Sequence, residues 1–99
     1  MNDSDTFLQN KGKMILNTKE YALEKDDALD YLDLLHKERK IILGGDVYIY
    51  DESKEELKPT YDNWYLDQDG QTIDDSYIYT KNYIENYKNY KNIYFIIVS

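Results

Sequence analysis

Two aspartates near the middle of the chain are the residues whose type and spacing could carry chemistry. Asp46 follows the pair Gly44-Gly45, and Asp62 lies within the segment Tyr61-Asp62-Asn63-Trp64-Tyr65. If the strands that carry them pair as a hairpin, the two carboxylates could serve as general acid and base or hold a divalent ion. A carboxylate-dependent hydrolase that uses Asp46 and Asp62 is therefore one hypothesis for this chain.

The residues around this pair favour a structural role instead. The chain has no cysteine, and its single histidine, His36, falls late in a predicted helix, where the helix dipole favours a basic side chain. Gly44-Gly45 lacks the spacing of a nucleotide-binding loop, and the turn at residues 67–70 lacks the terminal glutamate of a calcium loop. We predict no catalytic residue, no metal and no cofactor, and we expect Asp46 to accept hydrogen bonds from backbone N–H groups.

Negative charge is concentrated in the same part of the chain. Residues 46–75 contain ten acidic residues and two lysines, and the charges of the two flanking segments cancel each other, so the net charge of −8 resides in the middle. A field of this kind attracts basic protein surfaces and repels nucleic acid and anionic lipid. We therefore expect a basic protein as the partner, and neither nucleic acid nor a membrane.

Size and composition indicate one small domain. A chain of 99 residues has room for one core, and its 12 tyrosines carry hydroxyl groups that need water or a hydrogen-bond partner. The N-terminus is polar and acidic, unlike the basic and then apolar start of a signal peptide. We expect a cytoplasmic protein with a mobile lead-in over residues 1–12 and a single domain over residues 13–99.

Hydrophobic periodicity predicts the element order β-α-β-β-α-β. Apolar residues recur at helical spacing over residues 26–39, and again over residues 73–88 behind a capping box formed by Thr72 and Asp75. The pattern predicts strands over residues 14–23 and over residues 41–50, the second with a bend or bulge at Gly44-Gly45. It also predicts a strand over residues 61–66, after an acidic connection over residues 51–60. Residues 93–98 lack polar alternation and predict an interior strand. We expect an α+β fold with two helices packed on one mainly antiparallel sheet, as in a ferredoxin-like arrangement.

Strand alternation separates structural residues from candidate contact residues. Trp64 shares a face with Leu66 and is predicted to be buried, while Gly44 and Gly45 are assigned structural roles. Tyrosines beside acidic residues are typical of protein interfaces, because aromatic rings anchor a partner and charges steer it. The candidate partner-binding residues are Asp46, Tyr48, Tyr50, Asp51, Glu52, Glu55, Glu56, Tyr61, Asp62, Asn63 and Tyr65.

Three segments together resemble immunity protein family forty of bacterial polymorphic toxin systems. They are Ile42-Leu43-Gly44-Gly45-Asp46-Val47-Tyr48, then Tyr61-Asp62-Asn63-Trp64-Tyr65, and then Ser76 with Tyr83-Ile84. The resemblance covers about residues 12–98 and implies a small non-enzymatic antitoxin that binds and blocks a cognate toxin domain. The acidic middle of the chain favours a nuclease-like toxin with a basic cleft. The alternative is an acidic nucleic-acid mimic or a regulatory protein that binds another basic protein.

Overall fold

The computed structural model describes residues 3–15, 18, 20–67, 69–88 and 91–99. Three helices and five strands follow one another in an α+β arrangement, which confirms the predicted fold class. Their bounds are α1 Asp3–Lys11, β1 Lys13–Ile15, β2 Glu20–Glu24, α2 Lys25–Lys37, β3 Gly44–Asp51, β4 Glu56–Tyr65, α3 Ile73–Asn86 and β5 Ile93–Val98.

The five strands form one curled sheet in the order β1-β2-β5-β3-β4. Each pair of neighbouring strands is antiparallel, and β5 lies in the centre, as the absence of polar alternation in residues 93–98 predicted. Both helical connections form split β-α-β units, as in the predicted ferredoxin-like arrangement. The strands β2 and β3 run parallel on either side of β5, and β5 and β4 run parallel on either side of β3.

Helix α1 was not predicted, because its sequence has almost no apolar periodicity. Contacts to α2 and to the turn that follows it hold α1 in place. The hydroxyl of Ser4 donates to Glu38 Oε1 at 2.7 Å and the Ser4 backbone N–H donates to Glu38 Oε2 at 2.9 Å, while Phe7 stacks on Tyr31 with ring centroids 6.3 Å apart. Tertiary contacts rather than local pattern therefore determine this helix.

The two predicted helices are confirmed and pack on one face of the sheet. Thr72 is the N-cap residue of α3, and its side chain accepts a hydrogen bond from the Asp75 backbone N–H at 3.0 Å, as the capping box predicted. The main core lies between the helices and this face of the sheet. Its fully buried side chains include Leu23, Leu32, Leu35, Val47, Ile84 and Phe95.

The opposite face of the sheet carries a second, smaller cluster. Ile15, Ala22 and Ile96 are buried there, and Tyr48, Leu57 and Tyr94 pack against them. All six belong to strands, and the described helices contribute no residue to this cluster. We call this surface the open face of the sheet.

The β3–β4 hairpin is longer than the sequence predicted. The acidic connection expected over residues 51–60 is wrong, because Glu56 to Thr60 belong to β4 and only residues 52–55 form the turn. The Asp51 carboxylate closes this turn by accepting from the backbone N–H groups of Ser53 and Lys54 at 3.0 and 3.3 Å. Gly44 and Gly45 likewise lie within β3 rather than in a bend before it.

Candidate partner-binding surface

Gly45 and Trp64 form a packed pair on the helix-covered face. They are register partners across β3 and β4, and a Cβ atom at Gly45 would collide with the Trp64 ring and with the Ile96 carbonyl oxygen. The Trp64 indole N–H donates to the Thr80 hydroxyl on α3 at 3.1 Å, and the ring packs on Tyr83 with centroids 4.6 Å apart. The predicted burial of Trp64 is therefore confirmed, and β4 is joined to α3 through its side chain.

A bulge in β4 interrupts the hairpin beside this pair. Asp46 pairs with Asn63, whereas Tyr48 pairs with Pro59, so residues 60–62 of β4 lie opposite a single residue of β3. The Thr60 hydroxyl donates to the Val47 carbonyl at 2.8 Å and accepts from the Asp62 N–H at 3.1 Å. The residue between them, Tyr61, has a φ of 71° and is 85% exposed. A tyrosine held in this conformation is uncommon, and such strain recurs at functional sites.

The bulge places Asp46 and Asp62 on opposite faces of the sheet. Asp46 shares the open face with its register partner Asn63, whereas the Asp62 carboxylate accepts a hydrogen bond from the Tyr87 hydroxyl beside the C-terminus of α3 at 2.6 Å. Burial and this hydrogen bond raise the pKa of Tyr87 to about 12. The expectation that the hairpin brings the two carboxylates together is therefore wrong, and the acid–base pair of the hydrolase hypothesis is not formed.

Five of the predicted contact residues lie together on the open face. By strand alternation and register, Asp46, Tyr48 and Tyr50 of β3 share this face with Asn63 and Tyr65 of β4. Asp46 pairs directly with Asn63, whereas Tyr48 and Tyr50 lie further along β3, beyond the bulge. The predicted hydrogen bonds from backbone N–H groups to Asp46 are absent among the described residues, because Gly44-Gly45 continues the strand instead of freeing its N–H groups in a bend. The Asp46 carboxylate is therefore available to a partner.

The open face also contains residues that the sequence analysis did not select. Glu20 and Glu24 of β2 and Tyr94 of β5 join it, because β2 pairs with β5 and β5 pairs with β3. The Tyr94 hydroxyl donates to Glu24 Oε1 at 3.1 Å. Alternation in the segment Glu20–Glu24 places both glutamates on one face, but only the strand order shows that this face is shared with β3.

The Tyr48 and Tyr94 hydroxyl groups on the open face remain protonated at neutral pH. Burial and the hydrogen bond to Glu24 raise the pKa of Tyr94 to about 12, and burial together with the nearby Asp46 carboxylate raises the pKa of Tyr48. The Lys13 ammonium group lies over the Tyr50 ring, 4.1 Å from its centroid. The surface therefore offers hydroxyl donors, aromatic rings and carboxylates, and it already binds one cation of its own chain.

The remaining predicted acids lie at the hairpin turn beyond the open face. The Asp51 carboxylate accepts from Ser53 Oγ at 2.6 Å and from Lys58 Nζ at 3.1 Å, and these contacts hold the pKa of Asp51 well below its usual range. Asp51 is thus engaged within the turn. Glu52, Glu55 and Glu56 are exposed, and of these only Glu52 has a side-chain hydrogen bond among the described residues, from Asn92 at 3.3 Å.

The described residues form neither a metal cluster nor a membrane-crossing helix. No group of three or more histidine, aspartate or glutamate side chains in the described ranges is arranged to hold a metal ion. No helix in the part of the chain that the structure describes is long and apolar enough to cross a membrane. The fold is a small α+β domain whose open face carries both carboxylates and tyrosines.

Comparison with protein families identifies this domain. The family model described as Immunity protein 40 matches residues 11–99, which is nearly the whole chain. The chain therefore belongs to the Immunity protein 40 family, and membership implies an immunity protein that binds a cognate toxin. Comparisons with curated proteins and with solved structures gave no match.

Proposed function

We propose that this immunity protein neutralises a basic toxin domain by binding it through the open face and the adjoining hairpin turn. The observation that carries the proposal is the grouping of Asp46, Tyr48, Tyr50, Asn63 and Tyr65 on a sheet face that the described helices leave uncovered. Tyr61 and Asp62 belong to the neighbouring bulge and lie at the border of this surface.

The chemistry of the surface supports a basic partner. Partly buried tyrosines act as rigid anchors at interfaces, because they give a large contact area and lose little side-chain entropy on binding. Glu20, Glu24 and Asp46 surround the tyrosines, and Glu52, Glu55 and Glu56 extend the negative charge along the hairpin. Charges of one sign around such anchors accelerate association with an oppositely charged partner and reject partners of like charge.

The toxin that fits this surface best is a nuclease. An enzyme that cleaves nucleic acid needs a cleft lined by lysine and arginine to bind phosphates. A carboxylate-bearing face can occupy such a cleft in place of the substrate, which would block the active site. Because several carboxylates would meet several basic side chains, the association rate should depend strongly on ionic strength.

A charge-reversal experiment tests the proposal. The triple variant Glu52→Lys, Glu55→Lys and Glu56→Lys changes only exposed side chains of the hairpin and should fold normally, since exposed loop charges contribute little to stability. The partner to use is the cognate toxin domain, to be sought in the reading frames that neighbour the gene of this protein. We expect binding to weaken by roughly 10–100-fold, as repulsion replaces attraction at the interface, and cells should lose protection.

A matched triple variant controls for net charge. Asp30→Lys, Asp69→Lys and Glu85→Lys change the net charge by the same amount at exposed residues away from the open face and hairpin. This control should bind the toxin within about threefold of the unmodified protein. If the control weakens binding as much as the hairpin variant, net charge acts without a defined surface. If neither variant weakens binding, the interface lies elsewhere.

A further inference from the structure

A cleft lies at the end of the open face where β3 begins. Across the sheet, Gly44 stands between Tyr65 on β4 and Val98 on β5, and the next row holds Asn63, Asp46 and Ile96. Gly44 carries no side chain, and a cleft of about 420 Å³ lies beside it between these neighbours. Gly44 has a φ of 149°, and a Cβ atom there would collide with the Trp64 carbonyl oxygen, so the hairpin requires glycine at this position.

The groups that line the cleft have a consistent chemistry. Tyr65, which is 77% exposed, lines one side of the cleft, and Val98 forms an apolar wall on the other side. Asp46 and the Asn63 side chain stand at the inner end. Within the described part of the chain, no cation pairs with Asp46 and no donor bonds to its carboxylate. The cleft thus combines an aromatic face, an apolar wall and an unpaired carboxylate.

We infer that this cleft binds an arginine side chain of the toxin, a conclusion that rests on the proposed function. A guanidinium group stacks on an aromatic ring and bonds to a carboxylate through its planar fork, while the arginine methylenes pack along apolar surface. Tyr65, Asp46 and Val98 offer these three contacts in one place. A cavity of this size is at the lower end of those that bind small ligands, which suits one long side chain.

An acidic pocket beside Asp62, elsewhere in the described part of the chain, lacks this combination. It has a volume of about 310 Å³ and is lined by Asp62, Tyr83 and Tyr87 together with Lys88. The Asp62 carboxylate already accepts a hydrogen bond from Tyr87, and Lys88 supplies a cation of the same chain at the rim. An incoming guanidinium would meet repulsion and a carboxylate that is already engaged. The Asp62 pocket is therefore the internal control for the cleft.

The test uses the isolated protein and a pair of small probes, so it does not depend on the toxin. L-argininamide carries a guanidinium group, and L-citrullinamide has a neutral urea in its place. Each is titrated into ¹⁵N-labelled protein, and backbone amide shifts are followed by NMR. We expect argininamide to shift the amides of Gly44, Asp46 and Asn63 with a Kd on the order of 1–10 mM, and citrullinamide to bind at least roughly fivefold more weakly.

Variants separate the cleft from general charge attraction. Asp46→Asn should weaken argininamide binding roughly tenfold and Tyr65→Leu roughly threefold, whereas Asp62→Asn should leave it unchanged. Equal shifts with both probes, or equal loss in Asp46→Asn and Asp62→Asn, would overturn the inference. Because no toxin is present, these outcomes leave the proposed function standing. If instead the hairpin charge-reversal variant still bound the toxin normally, the proposed function would fail and the titration result would stand.

Discussion

The two faces of the sheet use the same kinds of residue for different purposes. On the helix-covered face, Trp64 is buried, donates to Thr80 and fills the space that Gly45 leaves. On the open face, one residue along each strand, Tyr65 is largely exposed and lines the cleft beside Gly44. The Gly45–Trp64 pair therefore stabilises the fold, whereas the neighbouring Gly44–Tyr65 pair leaves a surface free for a partner.

This difference follows from what covers each face. Helices α2 and α3 supply apolar side chains and a hydroxyl acceptor to the first face, so an aromatic residue there loses contact with water and gains packing. The second face contains only the small cluster around Ala22 and Ile96, so its tyrosines keep their polar edges accessible. Substitutions on the first face should therefore change stability, and substitutions on the second should change binding.

The largest expected effect is loss of stability on the helix-covered face. Trp64→Ala should lower the free energy of unfolding by about 3–5 kcal/mol, because it removes a buried ring and its bond to Thr80. Gly45→Val should be at least as damaging, since its side chain would overlap the Trp64 ring. Urea denaturation measures both.

Tyr65→Ala is the matched open-face variant and should change the free energy of unfolding by less than about 0.5 kcal/mol. Equal losses for Trp64→Ala and Tyr65→Ala would contradict the proposed difference between the two faces.

The next effect concerns association with the toxin. Because the open face and hairpin carry carboxylates without enough cations to neutralise them, raising sodium chloride from low to several hundred millimolar should slow association roughly tenfold or more, with a smaller change in dissociation. Stopped-flow fluorescence can follow both rates. In the Glu52, Glu55 and Glu56 to Lys variant the salt dependence should become weaker. An association rate that does not change with salt would show that the carboxylates do not steer the toxin to this surface.

A smaller effect is expected at alkaline pH. The Tyr77 hydroxyl donates a hydrogen bond to Asp33 at 2.5 Å, and this bond together with burial raises the pKa of Tyr77 to about 12. The pKa values of Tyr87 and Tyr94 are also raised to about 12. A raised pKa in the folded state contributes stability that is fully present below pH 10, the ordinary tyrosine value, and is lost as pH rises through 12. Circular dichroism and tyrosinate absorbance should show unfolding in this window.

Phenylalanine variants assign this alkaline effect to individual residues. Tyr77→Phe removes the group that titrates on the helix side, and Tyr94→Phe removes the one on the open face. Each should reduce the loss of stability between pH 10 and 12 relative to neutral pH, because one fewer proton is released on unfolding. A loss of stability that is unchanged in both variants would show that these hydroxyl groups do not control alkaline unfolding.

The smallest effect is expected at the bulge. Tyr61 is strongly exposed and has a positive φ, which asparagine adopts more readily than tyrosine. Tyr61→Asn should therefore leave stability within about 0.5 kcal/mol of the unmodified protein, or raise it slightly, as urea denaturation can measure. A loss above about 1 kcal/mol would show that the Tyr61 ring packs on the fold rather than facing a partner.

Local patterns were enough to predict the elements that contain their own signals. The cap at Thr72, the helix that follows it, the buried Trp64 and the central strand at residues 93–98 could be read from residue spacing alone. Helix α1 could not, because its position depends on Ser4 reaching Glu38 across 34 residues of sequence. Long-range hydrogen bonds of this kind leave no periodic signal.

The candidate site was predicted in composition but not in geometry. If the register of Tyr48 with Pro59 continued along the hairpin, Asp46 would face Tyr61 rather than Asn63. The bulge depends on the Thr60 hydroxyl, which bonds to backbone groups on both strands. Threonine is common in strands, so its presence in the sequence does not predict a bulge. Glu20, Glu24 and Tyr94 were missed for a related reason, since only the strand order brings them beside β3.

An NMR titration with the toxin shows which face of this protein forms the interface. The ¹⁵N-labelled protein is titrated with its unlabelled cognate toxin domain, and the loss or shift of each backbone amide signal is mapped on the sheet. The account predicts that the changes concentrate on open-face residues of β3, β4 and β5 and on the hairpin turn, while the exposed sides of α2 and α3 stay unaffected. Changes confined to those helices, with the amides of Asp46, Tyr48 and Asn63 unaltered, would contradict it.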